Sequence, residues 1–275
     1  MKNKLFAVLL CLVVAFSATS LVACGGNDNE YFNGDYQASS QEEVTTFSQT
    51  IADNTSATSI DWYKGYSIDF TLSGNMGGGD VTVDMDYKVG VKDDELAAAG
   101  NIELTDVAMN ISGGIYYLDG YNYINGSVGA VGGTSVSGKY KQSMSYEEFM
   151  EEYGLDSVLI ENLGDVLPYL AMYDEVNYFV DNGEETIKVK IEMPNQTITQ
   201  EYEGVTQTST GSGTYVFVYD TEYNLIGFYA DMTSNSTFTS PSGSGQTTMS
   251  ATLSITPYEG AIELPSDLDT YLLGE

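Results

Sequence analysis

The sequence predicts a mainly β fold in which an antiparallel sheet forms the core and short helices are minor elements. Apolar and polar residues alternate with period two over several stretches, which is the pattern of strands with one buried face. Asp119-Gly120 and Asn182-Gly183 each stand between strand-like stretches, and both dipeptides are typical of two-residue hairpin turns. Helical spacing is restricted to the stretches after Ser40 and Ser145. These observations indicate the α+β class with strands in the majority.

The first 23 residues have the organisation of a secretory signal peptide. Lys2 and Lys4 precede an apolar stretch at residues 5–16, and Leu21-Val22-Ala23-Cys24 follows. The apolar stretch is too short for a membrane-spanning helix, which needs about 20 apolar residues. We therefore expect residues 1–23 to be removed on export.

The residues around the cleavage point carry a resemblance. Leu21, Ala23 and Cys24 resemble the lipobox of bacterial lipoproteins, with leucine at −3, a small residue at −1 and cysteine at +1. The resemblance implies a diacylglyceryl group on the Cys24 sulfur and acyl chains such as palmitate. Two acyl chains suffice for stable anchoring, because each buried methylene contributes about 0.8 kcal/mol. The expected location is the extracytoplasmic face of the cell membrane, as a part of the cell envelope.

Residues 24–40 are predicted to be a flexible tether, and residues 41–275 a single β domain. The tether is polar and rich in glycine and asparagine, with little apolar surface to bury. Ser40 and Glu43 have the spacing of a capping box, which predicts a helix start. Helical spacing then continues to about residue 52 through Val44, Phe47 and Ile51.

Most strands are predicted from alternation alone. The stretches concerned are residues 62–72, 81–91, 102–104, 107–111, 176–180, 187–193, 215–219, 225–232 and 249–255. Turns are expected at residues 77–79 and 92–94. Residues 128–138 and 241–245, rich in glycine and serine, are predicted to be loops.

The most specific hairpin signal lies at residues 115–124. With Asp119-Gly120 as a type I′ loop, Leu118 pairs with Tyr121 and Tyr116 with Tyr123. Both faces of this hairpin are largely apolar, so we expect it to be covered on both sides.

A second helical region follows the hairpin. Ser145 and Glu148 have capping-box spacing, and apolar residues continue at helical spacing through residues 155–172. Pro168 cannot lie deep inside a single helix. We therefore expect two short helices that meet near Gly164-Asp165.

The composition excludes several classes of function. The net charge is −31 and there is no arginine or histidine. This composition argues against nucleic-acid binding and against the binding of anionic lipid head groups by clustered basic residues. The acidity serves solubility or, as a second interpretation, divalent-cation binding. Asp80, Asp84 and Asp86 share one strand face, but they lack the spacing of a known calcium loop.

Catalytic motifs are also missing from the sequence. Without histidine or a free cysteine there is no Ser-His-Asp triad, cysteine nucleophile or ordinary zinc site. Residues 133–139 match the start of a P-loop, but Tyr140 stands where serine or threonine must bind magnesium. We therefore predict a protein that is not an enzyme and has no cofactor and no metal site.

The order of elements resembles one family of envelope proteins. The signal and tether, the Tyr-Tyr-x-Asp-Gly-x-x-Tyr hairpin at residues 116–123, Lys139-Tyr140-Lys141, the helices and the closing meander are similar to LolA/LppX-type lipoproteins, in particular Gram-positive members. The resemblance implies a strongly curved antiparallel sheet, an open half-barrel, with short helices closing one side. It also implies an apolar space that holds acyl chains or lipoproteins.

The apolar faces of the strands supply the candidate lining of that space. Unbranched methionines suit an adaptable apolar lining. The expected cavity-lining residues are Val83, Met85, Tyr87, Tyr116, Leu118, Val189, Ile191, Met193, Met249 and Leu253.

Three functions remain open at this point. The first is a surface-anchored, non-enzymatic lipoprotein that binds an apolar ligand, a lipid, in the half-barrel. The second is an envelope module with a filled core that binds a glycan or a protein partner of unknown identity. The third is a carboxylate-based hydrolase, since 40 acidic residues guarantee many carboxylate pairs.

Overall fold

The computed structural model describes residues 30–54, 61–76, 79–106, 109–130, 135–152, 163, 167, 175–202, 205–240 and 243–273. The signal peptide and Cys24 lie outside these residues. The described strands are β1 (Gln37–Ser39), β2 (Tyr66–Met76), β3 (Gly79–Lys92), β4 (Glu95–Thr105), β5 (Met109–Leu118), β6 (Tyr121–Ala130), β7 (Ser135–Ser143), β8 (Asn177–Asn182), β9 (Thr186–Tyr202), β10 (Val205–Asp220), β11 (Leu225–Ser240), β12 (Gly243–Pro257) and β13 (Leu272–Leu273). The helices of more than one turn within the described elements are α1 (Gln41–Asn54) and α2 (Tyr146–Glu152).

All 13 strands belong to one curled sheet. Their order is β1-β8-β9-β10-β11-β12-β2-β3-β4-β5-β6-β7-β13, so two meanders meet where β12 pairs with β2. The neighbours are antiparallel except for β13, which runs parallel to β7. The predicted fold class, mainly β with a curved antiparallel sheet and short helices, is confirmed.

The Asp119-Gly120 hairpin forms as predicted. Leu118 pairs with Tyr121 and Tyr116 with Tyr123. Asp119 and Gly120 have φ values of 52° and 73°, which are the left-handed values of a type I′ turn. The predicted turn at residues 92–94 is of the same kind, with positive φ at both Asp93 and Asp94.

The Asn182-Gly183 prediction was wrong. Asn182 pairs with Ile187, so four residues separate the paired ends, and neither Asn182 nor Gly183 has positive φ. The observed register places Val180 opposite Val189. A two-residue turn at Asn182-Gly183 would place Val180 opposite a glutamate. The pairing register of these strands is therefore determined more by which side chains are buried than by the two residues typical of a turn.

Parts of the two glycine- and serine-rich segments that were predicted to be loops belong to strands. Of the predicted loop at residues 128–138, β6 includes residues up to Ala130 and β7 begins at Ser135. Gly243 to Gly245, also predicted as loop, belong to β12. Strand propensity is low in these segments, but pairing with neighbouring strands supplies their backbone hydrogen bonds.

Both capping boxes are present at the helix starts. The Ser40 amide donates to the Glu43 carboxylate at 2.7 Å, and the Glu43 amide donates to the Ser40 hydroxyl at 3.2 Å. The corresponding distances for Ser145 and Glu148 are 2.7 and 3.1 Å. Each cap satisfies amides that the first helical turn leaves without partners. Of the predicted helical stretch 155–172, only Leu163 and Leu167 are described, and both are helical.

The main hydrophobic core lies on one face of the sheet, which we call the inner face. It joins alternate residues of the strands to side chains from α1 and α2 and to Leu163 and Leu167. The helical contributors include Val44 and Ile51 of α1 and Phe149 of α2, each at most 1% exposed. The helices therefore cover the inner face, as the alternation of the strands requires.

The opposite, outer face is mostly polar, but the N-terminal segment covers part of it. Residues 30–40 were predicted to be tether, yet Phe32 is 3% exposed in a cluster with Val216, Val218 and Tyr229. The Tyr31 hydroxyl donates to the Ile226 carbonyl at 3.1 Å, and β1 pairs with β8. The aromatic residues of this polar segment supply the apolar area that binds it to the sheet. Residues 24–29 lie outside the described part.

The C-terminal segment covers a second part of the outer face. Ile262 and Tyr271 are buried, and the Tyr271 ring contacts that of Tyr123 edge to face at 5.6 Å. The segment ends in β13 beside β7. β1, from the N-terminal part of the chain, is therefore the edge strand beside β8 of the second meander. β13, from the C-terminal part, is the edge strand beside β7 of the first meander.

Candidate functional site

Eight of the ten predicted cavity-lining residues share the inner face. They are Val83, Met85, Tyr87, Val189, Ile191, Met193, Met249 and Leu253, and none is more than 8% exposed. All eight belong to one core cluster with residues of α1 and α2. The structure therefore places them in the packed interface between sheet and helices.

Tyr116 and Leu118 lie on the outer face, which corrects their assignment to the lining. Tyr116 pairs with Ala99, whereas its neighbour Tyr117 pairs with the fully buried Ala98. Tyr117 takes the inner position and packs against Tyr146 and Phe149 of α2, at ring distances of 5.4 and 5.1 Å. Both faces of this hairpin are apolar, so alternation alone could not decide which face is inside.

The inner face is open to solvent at one edge of the sheet. On β6, β7 and β13 five of its side chains are apolar and exposed, and we call this set the apolar strip. Its members are Ile124 (39% exposed), Val128 (52%), Val136 (69%), Tyr140 (45%) and Leu272 (66%).

Strand register shows that these residues share a face. Ile124 pairs with Tyr140 and Val128 with Val136. Leu272 is in register with Tyr140. Directly paired residues project from the same side of a sheet, so the strip is contiguous. Towards β5 it joins Ile111 and Ile115, which pack in the main core.

The charges of β7 face away from the strip. Lys139 and Lys141 alternate with Tyr140 and therefore project from the outer face. The Lys139 ammonium pairs with Asp267 and lies 5.5 Å from the Tyr271 ring centroid, and that of Lys141 lies 5.5 Å from the Tyr121 ring centroid. The described inner-face side chains of β6 and β7 carry no charge.

Tyrosines close to the strip remain neutral over the ordinary pH range. Burial raises the pKa of the Tyr117 hydroxyl, and Glu147 and Glu95 raise it further. Burial likewise raises the pKa of Tyr146. The rings of Tyr117 on β5 and Tyr146 on α2 therefore act as apolar surface with a neutral polar end.

The carboxylates singled out in the sequence are on the outer face. Asp69 and Asp86 pair directly across β2 and β3, and Asp84 pairs with Glu103 across β3 and β4. In the part of the chain that the structure describes, no group of three or more His, Cys, Asp or Glu is arranged to hold a metal ion. Among those same residues there is no helix of the length and apolarity that a membrane span requires.

None of the five strip residues is among the predicted lining residues, and Val128 and Val136 were missed as strand residues as well. They fall in the segment that was predicted to be a loop. A usable signal was present, since Ile124-x-Gly126-x-Val128 and Val136-x-Gly138-x-Tyr140 are mirror patterns with period two. Two such patterns on either side of a short connection are typical of a hairpin.

Comparison with known proteins gives little help with this site. No family model matches the sequence, and no curated protein matches it. A solved structure of a DUF1329 family protein from Desulfovibrio piger shares 13% identity, over 80% of this chain and 94% of that chain, with a TM-score of 0.20. A similarity at this level supports no statement about function.

Proposed function

We propose that this protein is a non-enzymatic lipoprotein of the half-barrel type that binds an apolar ligand, a lipid, on the inner face of its sheet. Acyl chains on Cys24 hold it at the extracytoplasmic face of the cell membrane. The observation that carries the proposal is the apolar strip, which extends the buried inner face into solvent at the β6–β7–β13 edge.

The strip concentrates apolar exposure at one place. Eight large hydrophobic residues are exposed in the described part of the chain, and five of them form the strip. Scattered apolar residues are normal on soluble proteins, whereas a contiguous patch marks a binding surface. Burial of such a patch by a lipid contributes about 25 cal/mol for each Å² of apolar area removed from water.

The charge distribution favours an apolar ligand over a charged one. The chain has a net charge of −31, and the lysines of β7 project from the outer face. An anionic head group gains no ion pair at the strip. The ligand would therefore be held by its hydrocarbon part, with its polar part in solvent.

The proposed binding place differs from the one that the sequence predicted. Eight of the predicted lining residues pack against helices, whereas the strip is open to solvent. The ligand-binding role is retained, but we assign it to the edge of the inner face. The resemblance to LolA/LppX-type lipoproteins agrees with a role in lipid binding.

A second candidate function is an envelope module that binds a neutral glycan through the outer face. Hydroxyl pairs order this face across several strands, with Oγ1–Oγ1 distances of 3.0 Å for Thr197–Thr210, 3.2 Å for Thr199–Thr208 and 2.6 Å for Thr71–Thr252. Ordered hydroxyls are suited to hydrogen bonding with sugars.

Lipid extraction distinguishes the two candidates. The protein would be released from its host membrane, washed free of detergent and extracted with organic solvent, which removes bound lipid but leaves covalently attached chains. We expect lipid at about one molecule per protein by mass spectrometry, and a loss of this lipid in the Val136→Asp variant. Wild-type protein without extractable lipid would contradict the lipid-binding role and favour the glycan module.

A further inference from the structure

The N-terminal segment is fastened to the outer face at one end of the sheet. Phe32 is buried in a cluster with residues of β10 and β11, and the Tyr31 hydroxyl donates to the Ile226 carbonyl at 3.1 Å. Ile226 is the second residue of β11. The segment therefore meets the sheet beside the turn that joins β10 to β11, and we call this end of the sheet the anchor end.

Further contacts hold the segment as it crosses to β8. The Lys188 ammonium donates to the Asn33 carbonyl, and the Lys190 ammonium lies 4.8 Å from the Tyr36 ring centroid. The Tyr36 hydroxyl donates to the Phe32 carbonyl at 2.7 Å. The chain from Tyr31 onwards therefore belongs to the folded domain, and it is not part of a tether.

The proposed acylation site is consequently close to the anchor end. Six residues, 24–29, separate that position from Glu30, the first described residue. A chain of six residues reaches at most about 20 Å when fully extended. β11 has 16 residues and is about 50 Å long. The anchor end is thus held at the bilayer surface, whereas the opposite end of the sheet can lie much farther away.

A single 3₁₀ turn, Trp62–Lys64, lies at the anchor end and precedes β2. Tyr66, the first residue of β2, pairs with Pro257 of β12, and the register of β12 with β11 puts Ile226 at the same level. Tyr66 and Ile226 are two strands apart, which is about 10 Å. The turn is therefore close to the point where the N-terminal segment meets the sheet.

Tyr63 and Val91 give this turn an exposed apolar surface. In the described part of the chain they are the two exposed large hydrophobic residues outside β6, β7 and β13, at 63% and 40% exposure. The turn lies against β3, and Val91 is in the last two residues of that strand. Two hydrogen bonds to Asp61, from the amides of Tyr63 and Lys64 at 3.3 and 2.9 Å, fix the turn. Tyrosine and lysine beside apolar surface are typical of the boundary between water and lipid.

Electrostatic interactions place the same groups at one corner of the molecule. Burial, and then the carboxylates of Asp61 and Asp220, raise the pKa of Tyr66 to about 12. Burial raises the pKa of Tyr31, and Tyr66 raises it further. Asp61 precedes the 3₁₀ turn and Asp220 ends β10, so both lie near the N-terminal segment. These carboxylates give the corner no attraction for anionic head groups.

We propose that the 62–64 turn contacts the bilayer, with Tyr63 and Val91 in the interfacial region of the membrane that holds the Cys24 acyl chains. The inference rests on the attachment at Cys24 that is part of the proposed function. The partner is the lipid–water interface itself, reached through apolar and aromatic contact and not through charge. The apolar strip is a separate surface at the β6–β7–β13 edge and remains available to a lipid ligand.

The test uses Trp62, the single tryptophan of the chain, as the probe. Full-length acylated protein would be reconstituted in phosphatidylcholine vesicles with or without brominated acyl chains, which quench tryptophan emission on close approach. We expect strong quenching that persists at high salt, because screening weakens ionic contacts but not apolar ones. The matched control is the double variant Trp62→Phe, Phe238→Trp, which moves the tryptophan towards the opposite end of β11 and should not be quenched.

Two further variants separate the contact from the lipid-binding strip. Tyr63→Ser combined with Val91→Ser should remove most of the quenching. Both side chains are exposed, so the melting temperature should change little, and it is measured as well. Val136→Asp, which alters the strip, should leave the quenching as in the wild type.

The outcomes distinguish the contact from the attachment. Wild-type quenching in the Tyr63 and Val91 double variant, or equal quenching of tryptophan at position 238, would overturn the contact and leave the attachment and the lipid-binding role intact. The same holds if wild-type protein floats with the vesicles but Trp62 is not quenched. Protein that does not float with the vesicles would contradict the Cys24 attachment, and the contact would fall with it.

Discussion

The Lys139 ammonium group forms an ion pair with the Asp267 carboxylate, and this contact fastens the C-terminal segment to β7. The same ammonium lies over the Tyr271 ring, which packs edge to face on Tyr123. The hydrogen bond from Lys139 is the main cause of a lowered pKa at Asp267. Lys139 of β7 thus holds the segment that leads into β13.

Replacement of Asp267 by asparagine should lower the melting temperature slightly at pH 7, since both partners are about 40% exposed and such pairs contribute little. A lowered pKa in the folded state means that the contribution is present above the ordinary value of 3.8 and is lost as the pH falls through the folded-state pKa. The difference in melting temperature between wild type and variant, measured by circular dichroism, should therefore disappear as the pH falls below 3.8. Asp269→Asn is the control, and an equal effect there would contradict a role for this pair.

Replacement of Gly120 by valine should destabilise the protein by about 1–3 kcal/mol, the range for a residue held in a sparsely populated backbone region. Gly120 has a φ of 73°, and a Cβ atom there would meet no atom within 4 Å. The loss would thus arise from backbone strain without steric contact. Urea unfolding measures it, with Gly120→Asn as the control, because asparagine tolerates this conformation better. Equal losses in both variants would argue against strain as the cause.

Replacement of Asp69 by asparagine should stabilise the protein at pH 7. Asp69 lies directly opposite Asp86, and its pKa is raised by desolvation and then by the Asp86 carboxylate. Removal of a like-charged cross-strand pair is worth about 0.2–1 kcal/mol. A raised pKa means that the penalty is absent below the ordinary value of 3.8 and develops as the pH rises through the folded-state pKa.

Urea unfolding of Asp69→Asn at pH 7 and at pH 3 tests this sign. The gain should be present at pH 7, diminish at high salt and vanish at pH 3. Asp80→Asn is the control, because Asp80 on the same strand face accepts a hydrogen bond from the Asn75 amide at 3.0 Å and has no carboxylate opposite. A stabilisation by Asp80→Asn of the same size would show that general charge reduction, not the pair, is responsible.

Replacement of Cys24 by alanine should abolish lipid attachment and leave unprocessed precursor. The prediction rests on the lipobox-like residues 21–24, in which the resemblance implies that the cysteine sulfur accepts the diacylglyceryl group. Growth with labelled fatty acid, followed by gel separation of the protein, measures attachment. Cys11→Ala is the matched control, since this cysteine lies within the predicted signal peptide and should be dispensable. Wild-type labelling of Cys24→Ala would disprove the anchor.

Much of the sheet could be predicted because a strand with one buried face needs an apolar residue at every second position, and this alternation is visible in the sequence. Val83, Met85 and Tyr87 on β3, and Val189, Ile191 and Met193 on β9, show this pattern and are buried. Both helix starts followed from serine and glutamate at capping spacing, since that motif is satisfied by local hydrogen bonds. The hairpin at Asp119-Gly120 was predicted for the same local reason.

The features that sequence reasoning missed depend on distant partners. Val128 and Val136 become strand residues through pairing with each other, despite glycine and serine around them. Phe32 acquires its buried position only when β10 and β11 are assembled beneath it. Likewise, the side taken by Tyr116 depends on which face the helices cover. Alternation identifies two faces of a strand, but it cannot choose between them when both are apolar.

The meeting of β12 with β2 also has a consequence for how the chain folds. Within each meander, neighbouring strands are joined by short connections and can pair as soon as they are made. Thr71 and Thr252, which touch across the junction of the two meanders, are 181 residues apart in sequence. Pairing over such a separation is slow, because the chain loses loop entropy before it gains contacts. During synthesis the edge of β2 that faces β12 therefore stays unpaired until residues 243–257 have been made.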